Sequence, residues 1–277
     1  METYTLTFGD GAEHHRGMKR MLGDSIKNGF NMEELEDLKN KFIKLGADCE
    51  LYNLFKEAGI QDILEKEHPE FRDNYDFSDL SAGILVIKKG VNFLLENTGK
   101  NIDDVLEEQK QIKYDSKYWD DRREMICNKR ARNNICFGKE SITADFNVGQ
   151  GTVVAYDSIP ILKHIVNQFE RFFGEKTRNL VGEGNYYFDT GRCGIGYHGD
   201  KERKIVIAMR FGGEMYLKYQ WYYKNNFLGK NMAFNFQHGD IYIMSEKAVG
   251  SDWLKSNIPT LRHAAGAEKY TSLKNKF

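Results

Sequence analysis

The sequence predicts an α+β protein: a small α+β module over residues 1–110, followed over residues 111–277 by a domain of short antiparallel strands, a jelly roll or barrel. Hydrophobic residues make up 40% and aromatic residues 13% of 277, enough for a sizeable buried core. From Gly184 onward the text breaks into short β-rich runs separated by Gly and Asn, at the spacing of strands in a roll. Charge also divides the chain. Residues 1–110 carry 14 of the 40 Lys+Arg and 23 of the 41 Asp+Glu, which leaves 26 basic against 18 acidic residues beyond them. An acidic first part and a basic second part point to different jobs, and the basic part suits an anionic substrate.

The elements follow in order. Thr3–Phe8 alternates β-formers and runs into the turn GDGA. Helical periodicity extends from Met32 to Leu45, with Asn31 as N-cap and Gly46 as stop. Cys49–Leu54 and Gly83–Ile87 read as strands, separated by the helical, charged stretch Ile60–Glu67. The charge-rich segment Val105–Lys113 is taken as the boundary. Beyond it, Asp157–Phe173 sets Ile161, Leu162, Ile165, Phe169 and Phe172 on one helical face, with Ser158 as cap and Pro160 in the first turn. Strands are then expected at Tyr186–Asp189, Gly194–His198, Ile205–Phe211, Tyr216–Tyr223, Met232–Phe236 and Ile241–Met244.

Several classes are disfavoured. The N-terminus lacks a basic and apolar leader, and no apolar run approaches the roughly 18 residues of a membrane span, so an intracellular protein without a membrane role is expected. Four cysteines, Cys49, Cys127, Cys136 and Cys193, stand far apart without CxxC spacing, which argues for reduced thiols over a zinc knuckle or disulfide framework. The Gly-rich stretch FGDGAEHHRGMKRMLG lacks phosphate-loop spacing.

The chemistry concentrates in GRCGIGYHGDKERK. His198 and Asp200 lie two apart at a strand end, so the period of two aims both side chains to one face. His263, in TLRHAAG, supplies a third ligand from a distant strand. Two imidazoles and a carboxylate on one face leave the opposite positions of an octahedron open, as iron(II) needs to hold a bidentate oxo acid and then dioxygen. The chain contains its own control, because His238-Gly239-Asp240 repeats the same triplet. Only 25 positions separate it from His263, too few for the strands that normally intervene, whereas His198 leaves 65. The second triplet is read as a turn.

With these residues in view, the stretch from about Lys129 to His263 resembles the AlkB-like branch of the iron(II)- and 2-oxoglutarate-dependent dioxygenases. NKRARNNICFG and SIPILKHI resemble that branch's opening strand and helix. GNYYFDTGRCGIGYHGDKER matches an Asn-x-Tyr strand before the metal strand, and FQHGDIYIMSEKAVGSDWLKSNIPTLRHAAG resembles the closing strand and loop that lead to the distal His. The resemblance implies a double-stranded β-helix, or jelly roll, and an oxidoreductase that hydroxylates or demethylates a substrate, foremost a nucleobase in DNA or RNA. It implies Fe(II), 2-oxoglutarate and dioxygen as cofactor and co-substrates. Asn185 and Tyr187 become candidates for binding 2-oxoglutarate, and Glu202, four beyond His198, for contacting the substrate.

One departure bears on the co-substrate. The family places arginine on a strand after the distal His, where its guanidinium grips the far carboxylate. Here no Arg follows His263. Lys269, six positions on and therefore on the same face of an extended strand, is the first substitute, and Arg210, twelve after His198, is the second. Trp221 and Tyr223 in YQWYYKNN could stack a base between Lys218 and Lys224, and Arg122, Arg123, Lys129, Arg130 and Arg132 could track phosphates. Two other readings stand beside this one: the same chemistry on a protein side chain or small molecule, and a non-enzymatic jelly-roll binding module.

Overall fold

The computed structural model describes residues 1–13, 21–24, 26–68, 71 and 76–273. The segment 14–20, the middle of the Gly-rich stretch, lies outside them. In chain order the strands are β1 (Thr3–Gly9), β2 (Ala12–Glu13), β3 (Met21–Leu22), β4 (Cys49–Asn53), β5 (Gly83–Ile87), β6 (Lys117–Asp120), β7 (Met125–Asn128), β8 (Asn133–Gly138), β9 (Val153–Ala155), β10 (Val181–Tyr187), β11 (Gly194–His198), β12 (Val206–Gly212), β13 (Met215–Tyr223), β14 (Asn226–Phe236), β15 (Ile241–Met244) and β16 (Thr260–Gly266). Eight of them form one large sheet in the order β4-β5-β15-β12-β1-β10-β8-β9, antiparallel throughout except for the β8–β9 pair. Four more form a second sheet, β11-β16-β13-β14. The protein is therefore mixed α+β, dominated by a large, mostly antiparallel sheet.

Period-two alternation gives the large sheet two buried faces. On β12, Ile207, Met209 and Phe211 join Leu6 and Phe8 of β1 in a core shared with the helices, where Leu35, Phe42, Leu162 and Phe169 pack. The alternate residues Val206 and Ala208 belong to a second core with Leu217, Tyr219, Trp221 and Leu261 of the small sheet. Burying apolar area on both faces contributes roughly 25 cal/mol per Å² and commits Thr3, Thr5 and Thr7 of β1 to the space between the sheets. Arg210, in register with Thr5, points the same way.

Local signals explain most of the elements. Asn31 caps the helix Met32–Lys44 in a reciprocal box with Glu34, and Gly46 follows at φ +85°. The expected helix at Asp157–Phe173 is two pieces, Pro160–Asn167 and Phe169–Phe173. Its cap comes from elsewhere. Ser158 falls in a short 3₁₀ turn, and Glu108 accepts from the backbone N–H groups of Ile161 and Leu162 at 2.8 and 2.9 Å. Glu108 belongs to the helix Ile102–Lys110, so the segment taken from its charge as a boundary is an amphipathic helix with Val105 in the core. Nor does the large sheet divide at residue 110. Strand β1 sits between β10 and β12, and β5 pairs with β15.

Candidate metal centre

His198 ends β11 and His263 lies directly opposite it on β16, so strand register alone brings the two imidazoles together, with ring centroids 4.6 Å apart. Asp200 follows in the turn, where its N–H donates to the carbonyl of Val249 at 3.0 Å. The turn needs glycine at 199. A Cβ there would lie 2.0 Å from the Gly250 carbonyl oxygen and 2.8 Å from Cβ of Trp253. The result is a compact set of three side chains that could hold a metal ion. Asp200 Oδ1 is 3.5 Å from His198 Nε2 and 3.6 Å from His263 Nε2, and one ligand atom from each residue lies within 4.8 Å of the others.

The electrostatics suit a cation. His198 Nδ1 faces the Gly196 carbonyl at 2.7 Å; a carbonyl can only accept, so Nδ1 carries the proton and Nε2 presents its lone pair. Burial, then the neighbouring His263, pushes the His198 imidazole down to about 4, leaving it neutral at pH 7. Burial alone would raise Asp200, but the Arg203 guanidinium and the imidazoles outweigh it and hold the carboxyl well below the usual carboxylate range. A metal needs neutral imidazoles and an ionised carboxylate, and His198 and Asp200 are shifted toward those states.

Beside these ligands is a cavity of about 80 Å³, lined among others by Thr5, Arg132, Asn185, Tyr187, Arg210 and Tyr242. At roughly 10–15 Å³ for each water it is a small-molecule space. Several lining groups are polar, buried and unsatisfied. Among the described residues, Arg210 Nε and Nη1 and Thr5 Oγ1 have no hydrogen-bond partner, although Arg210 is only 1% exposed. An ionised guanidinium buried without a carboxylate is costly, and burial pulls the Arg210 guanidinium below its usual range.

The residues singled out in the sequence meet different fates. His198, Asp200, His263, Asn185, Tyr187 and Arg210 line one cavity. Lys269 does not. Strand β16 stops at Gly266, φ +95°, and a short helix, Glu268–Thr271, leaves Lys269 exposed with its ammonium over the Tyr270 ring. Glu202 turns to Arg203 at 2.5 Å and is not among the cavity's lining residues. Trp221 is fully buried and its Nε1 donates to the Leu54 carbonyl, while Tyr223 packs against Phe71, so neither offers a free stacking face. The basic segment is partly drawn in. Arg123, Lys129, Arg130 and Arg132 line a groove of about 540 Å³ along the β6–β7 hairpin, and Arg132 lines the cavity as well. None of the described lining residues of that groove is acidic. Sequence reasoning missed Thr5, though alternation in TYTLTF already put the three threonines on one face.

No family profile matches the chain. It is 40% identical over 269 residues to an uncharacterized protein of Acanthamoeba polyphaga mimivirus, an alignment that covers 97% of each protein.

Proposed function

We propose that this chain, which belongs to one family with that mimiviral protein, is an iron(II)- and 2-oxoglutarate-dependent oxygenase on a jelly-roll framework, related to the AlkB-like enzymes. The observation that carries the reading is the unpartnered guanidinium of Arg210 in the same small cavity as His198, Asp200 and His263. A metal triad alone suits many reactions. A triad beside a buried, unsatisfied cation suits a ligand that chelates the metal at one end and is anionic at the other, and a 2-oxo dicarboxylate is such a ligand.

The strand order supports the framework. Seven consecutive strands, β10 to β16, and β1 are shared between the two sheets as four and four: β15-β12-β1-β10 within the large one, and β11-β16-β13-β14. A four-and-four division of eight strands is the one a jelly roll would have, and it supports that reading. In it, β1 takes the position between β10 and β12 that an eighth strand following β16 would occupy. This sets Arg210 of β12 beside Thr5 of β1, where they would serve as the far-carboxylate site.

His198 Nε2, His263 Nε2 and Asp200 Oδ1 would hold the metal. Bound iron(II), with 2-oxoglutarate and dioxygen, supplies the oxidising equivalents that put one oxygen atom on a substrate C–H bond and release succinate and carbon dioxide. The protein's part is placement. The Arg210 guanidinium and the Thr5 hydroxyl, both without partners, would hold the far carboxylate, and Val206, Leu217 and Met244 would keep water from the cavity walls. The cationic groove favours an anionic substrate, and a nucleobase carried on its phosphate backbone is the class we assign.

Anaerobic titration with iron(II) and 2-oxoglutarate, read through the visible charge-transfer band of the chelate, tests this. Arg210→Met should weaken 2-oxoglutarate binding roughly thirtyfold or more, the scale of losing one side of a buried charge pair. It should leave metal binding intact and raise the melting temperature of the ligand-free protein, because it removes an unpaired buried charge. A folded, iron-loaded wild type with no such band overturns the co-substrate.

A further inference from the structure

We infer that Arg203 is the positioning residue for Asp200, and that a chain of ion pairs and hydrogen bonds through Glu183 and Asn185 ties this residue to Arg132 at the cationic groove. The inference rests on the metal reading above.

Arg203 lies three residues past Asp200 and is 4% exposed. Its Nε is 3.5 Å from Asp200 Oδ2 and its Nη2 donates to Glu183 Oε2 at 2.7 Å. The two oxygens of Asp200 thus have separate tasks: Oδ1 faces the imidazoles and Oδ2 faces the guanidinium. A guanidinium on the outer oxygen fixes the plane of the carboxylate and leaves one oxygen for the metal. The other oxygen of Glu183, Oε1, accepts from Asn185 Nδ2 at 3.2 Å, and Asn185 Oδ1 accepts from Arg132 Nε at 2.5 Å. Arg132 lines both the cavity and the groove, so hydrogen bonds run from the groove to Arg203; Arg203 Nε itself donates to Glu202 Oε1 at 3.0 Å, and the last link, to Asp200, is the 3.5 Å ion pair.

Charge favours a role beyond holding the fold. Three acidic side chains, Glu183, Glu202 and Asp200, meet at the Arg203 guanidinium in a buried setting. One partner would satisfy a structural arginine, whereas an acid-rich cluster of this kind would favour a divalent cation at Asp200. In this arrangement Asn185 is the middle of the chain, and its amide is already engaged at both ends.

Cobalt(II), stable in air and with absorption bands that report ligand geometry, is the probe, titrated without co-substrate into the full chain alongside the melting temperature of each metal-free variant. Glu183→Gln, near-isosteric, should weaken cobalt(II) binding ten- to a hundredfold and alter the bands, the scale of losing an outer-sphere partner. Arg132→Ala and Asn185→Ala should each weaken it roughly two- to thirtyfold. Their double variant should lose no more than the stronger single, because both cut one chain. Wild-type cobalt(II) affinity in folded Glu183→Gln, or losses at Arg132 and Asn185 that multiply, overturns the inference. If Glu183→Gln does not fold, the Arg132 and Asn185 cycle decides alone. A wild type that takes up no cobalt(II) defeats the metal reading itself, a different result from unchanged variants.

Discussion

His198-Gly199-Asp200 and His238-Gly239-Asp240 are the same three residues with opposite surroundings. In the second triplet both side chains are occupied. His238 Nδ1 accepts from the Gly212 N–H and its Nε2 meets Asp103, at 3.0 and 3.1 Å. Asp240 accepts from Lys88 Nζ and from the backbone N–H groups of Lys89 and Gln237, at 2.9–3.0 Å. Its glycine serves a left-handed turn at φ +86°. In the first triplet the lone pairs of His198 Nε2 and Asp200 Oδ1 converge on each other and on His263, and the glycine serves a close approach to Gly250. A triplet is thus available as a ligand pair where its lone pairs are left over, and serves a turn where the backbone takes them.

The largest expected effect follows from that contrast. Asp200→Ala and His263→Ala should each weaken metal binding by at least about a hundredfold, beyond what loss of a supporting contact costs, with little loss of fold. Asp240→Ala should do the reverse. It leaves Lys88 and two backbone N–H groups without their carboxylate, so the stability loss should be about 2–4 kcal/mol by chemical denaturation, with metal affinity unchanged per folded molecule. Metal binding that survives Asp200→Ala and disappears in folded Asp240→Ala would exchange the roles of the two triplets.

A smaller effect separates the triplets by acid. The folded His198 imidazole sits at about 4, below its ordinary value of 6.5, so the unfolded chain binds the proton more tightly. Stability of the metal-free protein should therefore fall as pH drops from about 6.5 to about 4, by roughly 3 kcal/mol, and His198→Gln should lack this limb. Below that range Asp200, held under the usual carboxylate range, extends the loss as it protonates. Denaturant midpoints across pH 4–7 measure it, and a flat wild-type profile would mean that the imidazole is not held neutral by its setting.

What was readable in the sequence follows the range of the forces involved. The pairing of His198 with Asp200 is local, set by a period of two, and the distant His263 needed only a strand of the same phase. Asn31, Gly46 and the alternation of TYTLTF were equally local and equally plain. The central seat of β1 was not readable, because its partners lie about 180 and 205 residues away in the chain and nothing in seven residues encodes them. Trp221 and Tyr223 look like a stacking platform as text. They are core because β13 is covered by the small sheet's neighbours and by Leu54 and Phe71. Arg210 ranked below Lys269 for a similar reason: parity along a strand is sound only while the strand continues.

That last point gives the smallest expected effect. The even offset between His263 and Lys269 would aim both into one cavity if β16 ran on, but Gly266 adopts a left-handed φ of +95° and the next residues wind into the helix Glu268–Thr271. The ammonium rests 4.9 Å from the centroid of the Tyr270 ring, an exposed contact of about 0.5–1 kcal/mol. Lys269→Ala should therefore change 2-oxoglutarate affinity less than twofold, against the much larger loss expected at Arg210. Calorimetric titration of the two variants side by side is the sharpest internal comparison, because both began as answers to the same missing arginine. A tenfold loss at Lys269 would mean that the helix folds over the cavity when the dicarboxylate binds, and the far-carboxylate contact would then pass from a buried strand to a moving one.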